Sequence, residues 1–135
     1  MHDEIKGTAL PSVMALAYLG DARHSLYVRK MLVARGVSKS GELNALSQGF
    51  VTAEAQAVMM GRIEEHLLPD ERDVYKRAFN STHLNKPKHA KGREYRAATG
   101  FEAVVGMLEW LGDEQRLNLL LDIAHTEIKN DDSEN

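Results

Sequence analysis

Apolar residues recur along this chain with the period of an α-helix almost from end to end, and its three prolines stand between the periodic stretches, not inside them. Pro11 and Ser12 open a helix whose apolar positions run from Val13 through Leu32 to a stop at Arg35-Gly36. Ser38 to Gly41 reads as a turn and Glu42 to Gln48 as a short helix. Thr52 caps a helix through Ile63 that ends near His66, and Pro69-Asp70-Glu71 begins another. Asn80 to Gly92 has Pro, Gly, Asn and Ser without an apolar period, so it is the one long loop, of the kind that more often carries function than decoration. A helix from about Glu94 to Leu111, a break at Gly112-Asp113 and a helix from Glu114 to about Ile128 complete the pattern. The expectation is an all-α fold of about six helices, one domain over residues 1–129, with 130–135 a disordered acidic tail. Aromatic residues at 6% argue against a many-stranded β fold.

Composition narrows the chemistry. A chain of 135 residues with 43% hydrophobic and 27% charged residues is an ordinary single globular domain. It has no cysteine, which removes disulfides, thiolate nucleophiles and thiolate metal sites. The apolar runs fall far short of the ~18 residues of a membrane span, and the acidic start Met1-His2-Asp3-Glu4 lacks an apolar signal core. A cytoplasmic protein is expected. The net charge of −3 hides a segregation. Lys76 to Arg96 holds seven bases against one acid, and Glu109 to Asn135 holds eight acids against two bases. One basic face that meets a polyanion fits that division.

Two acids interrupt apolar stretches. Asp21 follows Gly20 inside the most hydrophobic helix, and Glu102 lies between Phe101 and Ala103 with Gly100 and Gly106 nearby. A mid-helix glycine costs about 1 kcal/mol against alanine, so Gly20 implies close approach of another backbone. A buried carboxylate needs a cation, a donor or water. A structural hydrogen bond or an exposed helix edge is the commoner explanation for such acids. Two separated carboxylates with no cysteine or convincing histidine pair would otherwise favour Mg²⁺ or Mn²⁺ over Zn²⁺, and a basic loop in the same chain makes a metal-dependent phosphodiesterase reasonable.

Ala15-Leu16-Ala17-Tyr18-Leu19-Gly20-Asp21-Ala22 resembles the signature helix of the ribonuclease III family. Ala98-Thr99-Gly100-Phe101-Glu102-Ala103-Val104-Val105-Gly106 resembles that family's second acidic helix, and Leu46-Ser47 with Val51 to Ala57 is similar to the segment between them. The likeness covers about residues 10–128. The pattern of Tyr95, Arg96, Thr99, Phe101, Glu102, Ala103 and Gly106, with no double-stranded-RNA-binding domain beside it, points to the Mini-ribonuclease III subgroup. The resemblance implies a homodimeric, all-helical endonuclease that cuts double-stranded RNA with Mg²⁺, Mn²⁺ being a possible substitute. In that subgroup the substrate is the precursor of large-subunit (23S) ribosomal RNA, with a ribosomal protein on the precursor as a further partner. By the same resemblance Asp21 and Glu102 are the catalytic, metal-binding acids. Further acids of the larger enzymes are replaced here by Met14, Ala17 and Thr99, so the metal's shell is thinner. Those departures leave a non-catalytic duplex-RNA-binding or ribosome-assembly module as the alternative.

Thr99 stands three residues before Glu102 on one helical face, placed to hydrogen-bond water at the site. Duplex RNA has a major groove too deep and narrow for side chains, so it is held by its shape and phosphates. Lys86, Lys88, Lys91, Arg93 and Arg96 are the candidate phosphate contacts, a merely solvated charge run being the competing reading. His83 and His89 lie in the same loop, within reach of RNA. His24, His66 and His125 show no pairing in the sequence and receive no role, and Met59, Met60 and Met107 read as core. A duplex with two strands related by local two-folds suits a C₂ dimer, for which the helix of Tyr18 is the candidate interface, packing of Tyr18 in the core being the other option.

Overall fold

The computed structural model describes residues 9–81 and 92–134, with side chains through 126 in the second stretch. All regular structure among them is helical: α1 (Val13–Ala34), α2 (Ser40–Val51), α3 (Ala53–Ile63), a 3₁₀ turn (Glu64–His66), α4 (Pro69–Ser81), α5 (Gly92–Leu111) and α6 (Glu114–Glu134). The all-α, six-helix expectation is met. Ser12 starts α1, its hydroxyl accepting the Ala15 backbone N–H at 3.1 Å. Thr52 ends α2 in extended backbone and caps α3 in the same way, 3.1 Å from the Ala55 N–H. Pro69 is the first residue of α4, where its missing N–H costs nothing. The Glu71 carboxylate reaches back 2.9 Å to the Leu68 N–H, closing one side of a capping box. At Gly112 φ is +72°, the left-handed turn that lets Asp113 N–H bond Leu108 C=O and reverse the chain into α6.

Several boundaries shift from the sequence reading. α2 begins at Ser40, after Lys39 in extended backbone, and continues to Val51. Asn80 and Ser81 close α4 and Gly92 opens α5, so the loop is shorter than Asn80–Gly92, and its residues 82–91 lie outside the described residues. α6 is helical to Glu134, past Ile128, since Lys129–Glu134 holds no proline or glycine to stop it.

The core forms around α5. From Ala98 to Leu108 every residue is buried except Glu102. A helix apolar on all sides belongs at the centre of a fold, and α1, α3 and α4 pack around this one. Leu16, Met59, Met60, Ile63, Val74, Phe101, Met107, Leu117 and Leu121 fill the space between them. At the α1–α5 crossing there is no room for side chains. A Cβ on Gly20 would lie 1.7 Å from the Glu102 carbonyl oxygen, and one on Gly106 would lie 1.8 Å from that of Leu16. The two glycines thus let the backbones touch, as the position of Gly20 in the sequence implies.

Polar ties fix the outer helices. Arg116 of α6 forks onto the fully buried Glu71 of α4, at 2.9 and 2.8 Å, and also donates to the His66 carbonyl. Arg23 of α1 bonds Glu109 of α5 at 3.0 Å, and the Tyr27 hydroxyl donates to Asp122 of α6 at 2.7 Å. No helix among the described residues is long and apolar enough to cross a membrane.

Candidate active site

The glycine contact decides where the acids go. Gly20 rests on the backbone of Glu102 itself, so Asp21, the next residue of α1, meets the Glu102 side chain of α5. Asp21 is exposed and Glu102 half-buried, at one edge of the crossing. Of the two, Glu102 is the perturbed one. Burial, the adjacent negative charge of Asp21 and a hydrogen bond to Asp21 push its carboxyl up to about 8, opposed by a hydrogen bond from Gln56. Without a cation Glu102 therefore holds its proton across much of the neutral range, because burial and the neighbouring carboxylate both penalise its ionised form. A divalent ion removes that penalty. Both donor groups are hard oxygens, which suits Mg²⁺ or Mn²⁺. Among the described residues no cluster of three or more His, Cys, Asp or Glu forms; the acids that meet at this crossing are Asp21 and Glu102.

The remaining candidates fall into three groups. Thr99 is buried, and its hydroxyl donates to the Tyr95 carbonyl at 3.0 Å, one turn back. The hydrogen it was expected to offer at the site is used on its own helix, leaving only acceptor capacity. Arg93 and Arg96 lie on the first two turns of α5, with their guanidinium carbons 6.0 and 5.7 Å from the centre of the Phe79 ring. This packing holds both cations against α4. Arg96 precedes Glu102 by six residues, roughly 9 Å along the axis and about 120° around it, so it faces α4 while Glu102 faces α1. Lys86, Lys88 and Lys91, with His83 and His89, lie outside the described residues.

Three buried side chains near the acids were missed. His24, one turn after Asp21, is fully buried, and its Nε2 lies 3.1 Å from His125 Nε2 of α6. The sequence reading found no ligand-like pairing among these histidines and gave them no role; the structure brings His24 and His125 into contact. They are 101 positions apart in the chain, and α6, packed on α3 and α5, brings its histidine to that of α1. Burial is the main cause holding both rings neutral, lowering His24 to about 3, with His125 adding to it, and His125 to about 4, with Arg62 and Arg35 adding to it. Gln56 of α3 bonds His24 Nδ1 at 3.2 Å on one side and Glu102 on the other. The only signal in the sequence was a polar residue in the alanine-rich stretch Ala53–Ala57. Tyr18, by contrast, is 84% exposed and Met14 43%, so the core option for Tyr18 is excluded within the protomer.

Comparison with known proteins agrees with this geometry. The Ribonuclease III domain family model matches residues 14–111, a span that includes both acids. The Mini-ribonuclease 3 of Symbiobacterium thermophilum is 39% identical over 111 residues, covering 82% of this chain and 85% of that protein. That of Streptococcus pneumoniae is 38% identical over 110 residues, covering 80% and 86%. A crystal structure of a Fusobacterium nucleatum protein superposes with a TM-score of 0.76 at 29% identity, covering 89% of this chain and 93% of that one. With the family model spanning both acidic helices and full-length relatives matched over most of their length, the chain belongs to the ribonuclease III family and is an endoribonuclease.

Proposed function

We propose that this protein is a cytoplasmic homodimer that cuts double-stranded RNA with Mg²⁺, Mn²⁺ substituting, at a site formed by Asp21 and Glu102. The observation that carries the reading is the carboxyl pair joined across the Gly20–Glu102 backbone contact. When bound, a divalent ion supplies an activated water and neutralises charge that develops on the phosphate. The chain's own part is definite. Asp21 and Glu102 would hold the cation, Glu102 in its ionised form. Arg93, Arg96 and the loop residues Lys86, Lys88 and Lys91 hold the RNA by its phosphates. Thr99 fixes the first part of α5 through its bond to Tyr95.

The substrate we infer is the precursor of large-subunit (23S) ribosomal RNA, with a ribosomal protein on that precursor stimulating the cut. The relatives named Mini-ribonuclease 3 support this assignment. The test is cleavage of duplex RNA with Mg²⁺ and with EDTA, by the wild type, Asp21→Asn and Glu102→Gln. Each variant keeps side-chain shape but loses a charged ligand, a loss of several kcal/mol or roughly a thousandfold in rate. Duplex affinity should survive, since it rests on the basic groups. Cleavage by Asp21→Asn near the wild-type rate would sink the site. A wild type that binds duplex RNA and never cuts it would favour the assembly-module alternative.

A further inference from the structure

Gln56 is 2% exposed, and a buried amide needs partners for its hydrogens. It bonds two groups, the Glu102 carboxyl and His24 Nδ1, the latter at 3.2 Å from its Nε2. Both donors of an amide sit on one nitrogen, so one assignment satisfies both contacts: Nε2 gives one hydrogen to Glu102 and the other to His24 Nδ1. His24 must then carry its own hydrogen on Nε2 and donate it to His125 Nε2, 3.1 Å away. His125 keeps its hydrogen on Nδ1, a buried atom without a hydrogen-bond partner. Phenylalanine or leucine at 24 and 125 would fill the same volume without stranding a buried N–H. Packing alone therefore does not account for the pair. What the pair does is fix which end of the Gln56 amide faces Glu102.

We propose that Gln56 is a positioning residue for Glu102, and that the neutral His24–His125 pair locks its amide so that an N–H, not the carbonyl, faces the carboxylate. The inference rests on the reading of Asp21 and Glu102 as metal ligands. In a site with two protein carboxylates among the described residues, the orientation of each matters more than in a crowded shell. Loss of such outer partners typically weakens metal affinity or activity 10- to 100-fold. With the amide reversed, the carbonyl would face Glu102 and repel its ionised form.

The experiment compares the wild type, Gln56→Met, His24→Phe and the double variant. It reads the Mn²⁺ dissociation constant by calorimetry without RNA, the Mg²⁺ concentration for half-maximal cleavage, kcat at saturating Mg²⁺, and thermal midpoint. Gln56→Met should weaken Mn²⁺ binding about tenfold or more and shift the Mg²⁺ midpoint alike, with a smaller change in kcat. His24→Phe should produce a lesser shift, and the double variant should bind no worse than Gln56→Met, because His24 acts through Gln56. A folded Gln56→Met with wild-type Mn²⁺ affinity overturns the proposal, even if its thermal midpoint falls. An additive double variant overturns the part assigned to the histidines. Asp21→Asn is the control: if it loses Mn²⁺ binding while Gln56→Met keeps it, the inference alone fails, and if both keep it the site reading fails too. Nitrogen-15 NMR of the wild type tests the lock without any variant. It should show His24 protonated on Nε2 and His125 on Nδ1, and the reverse tautomers would refute the assignment.

Discussion

His24 and His125 are uncharged in the fold although each would take up a proton near pH 6.5 in the unfolded chain, and Glu102 departs in the opposite sense. Folded His24 and His125 titrate only at about 3 and 4, against 6.5 unfolded, so the unfolded chain binds more protons below 6.5. Their contribution is complete above pH 6.5 and is lost as pH falls toward those values. Folded Glu102 titrates at about 8 against 4.5, so there the folded state holds the extra proton, and stability falls as pH rises from 4.5 to 8. Each proton of difference changes stability by about 1.4 kcal/mol per pH unit. Two histidines outweigh one glutamate below 6.5, and the glutamate acts alone above it. In EDTA the thermal midpoint should therefore peak near pH 6.5. Glu102→Gln should remove the alkaline decline and leave the acid one. A wild-type midpoint that climbs steadily through pH 8 would contradict this account.

The α1–α5 crossing shows how one missing side chain places a site. Alanine is about 1 kcal/mol better than glycine inside a helix, so on propensity alone Gly20→Ala stabilises. The Glu102 carbonyl oxygen at 1.7 Å from the new Cβ reverses that, because backbone on both sides has nowhere to move. Overpacking of this kind costs about 1–3 kcal/mol or more, and Gly20→Ala should lower the thermal midpoint and impair cleavage by parting Asp21 from Glu102. Gly61 in α3 is the control: nothing lies within 4 Å of its Cβ position, so Gly61→Ala should gain up to about 1 kcal/mol. Equal effects in calorimetry would refute the packing argument. The crossing was legible in the sequence because Gly20 and Gly106 each sit beside or near an acid in an apolar helix, a local pattern. Helix starts were legible for the same reason, through Ser12, Thr52 and Pro69. The Gln56–His24–His125 chain was not, since its members come from α3, α1 and α6, and only packing reveals that they meet. The spacing of Thr99 from Glu102 cannot tell that its hydroxyl turns back to the Tyr95 carbonyl.

Over the whole molecule, the exposed apolar surface of α1 and the basic residues before and at the start of α5 are separate features. Tyr18 and Met14 are exposed on α1, at i−3 and i−7 from Asp21, so the surface left uncovered there adjoins the carboxyl pair. A second copy seated on it would give a C₂ dimer with one site for each strand of a duplex. Light scattering should then give about twice 15.1 kDa, and Tyr18→Asp should shift the protein to monomer. A wild-type monomer at micromolar concentration that still makes double-strand cuts would refute the arrangement. The basic side is tested by salt. Arg93 and Arg96 are held on Phe79 at the start of α5, the helix that carries Glu102, and Lys86, Lys88 and Lys91 precede them directly in the sequence. Each phosphate a cation neutralises releases counterions, adding about 0.9 to the log–log salt slope on a B-form duplex. Replacing Lys86, Lys88 and Lys91 by Ala should weaken duplex binding, flatten its salt dependence by up to about three such contacts, and raise KM more than it lowers kcat. Helicity should not change, because none of the three is part of α4 or α5. A loop that only solubilises the protein predicts the same slope for the triple variant and the wild type. Duplex binding measured across a salt series separates the two, and an unchanged slope would mean that the RNA is held by other groups.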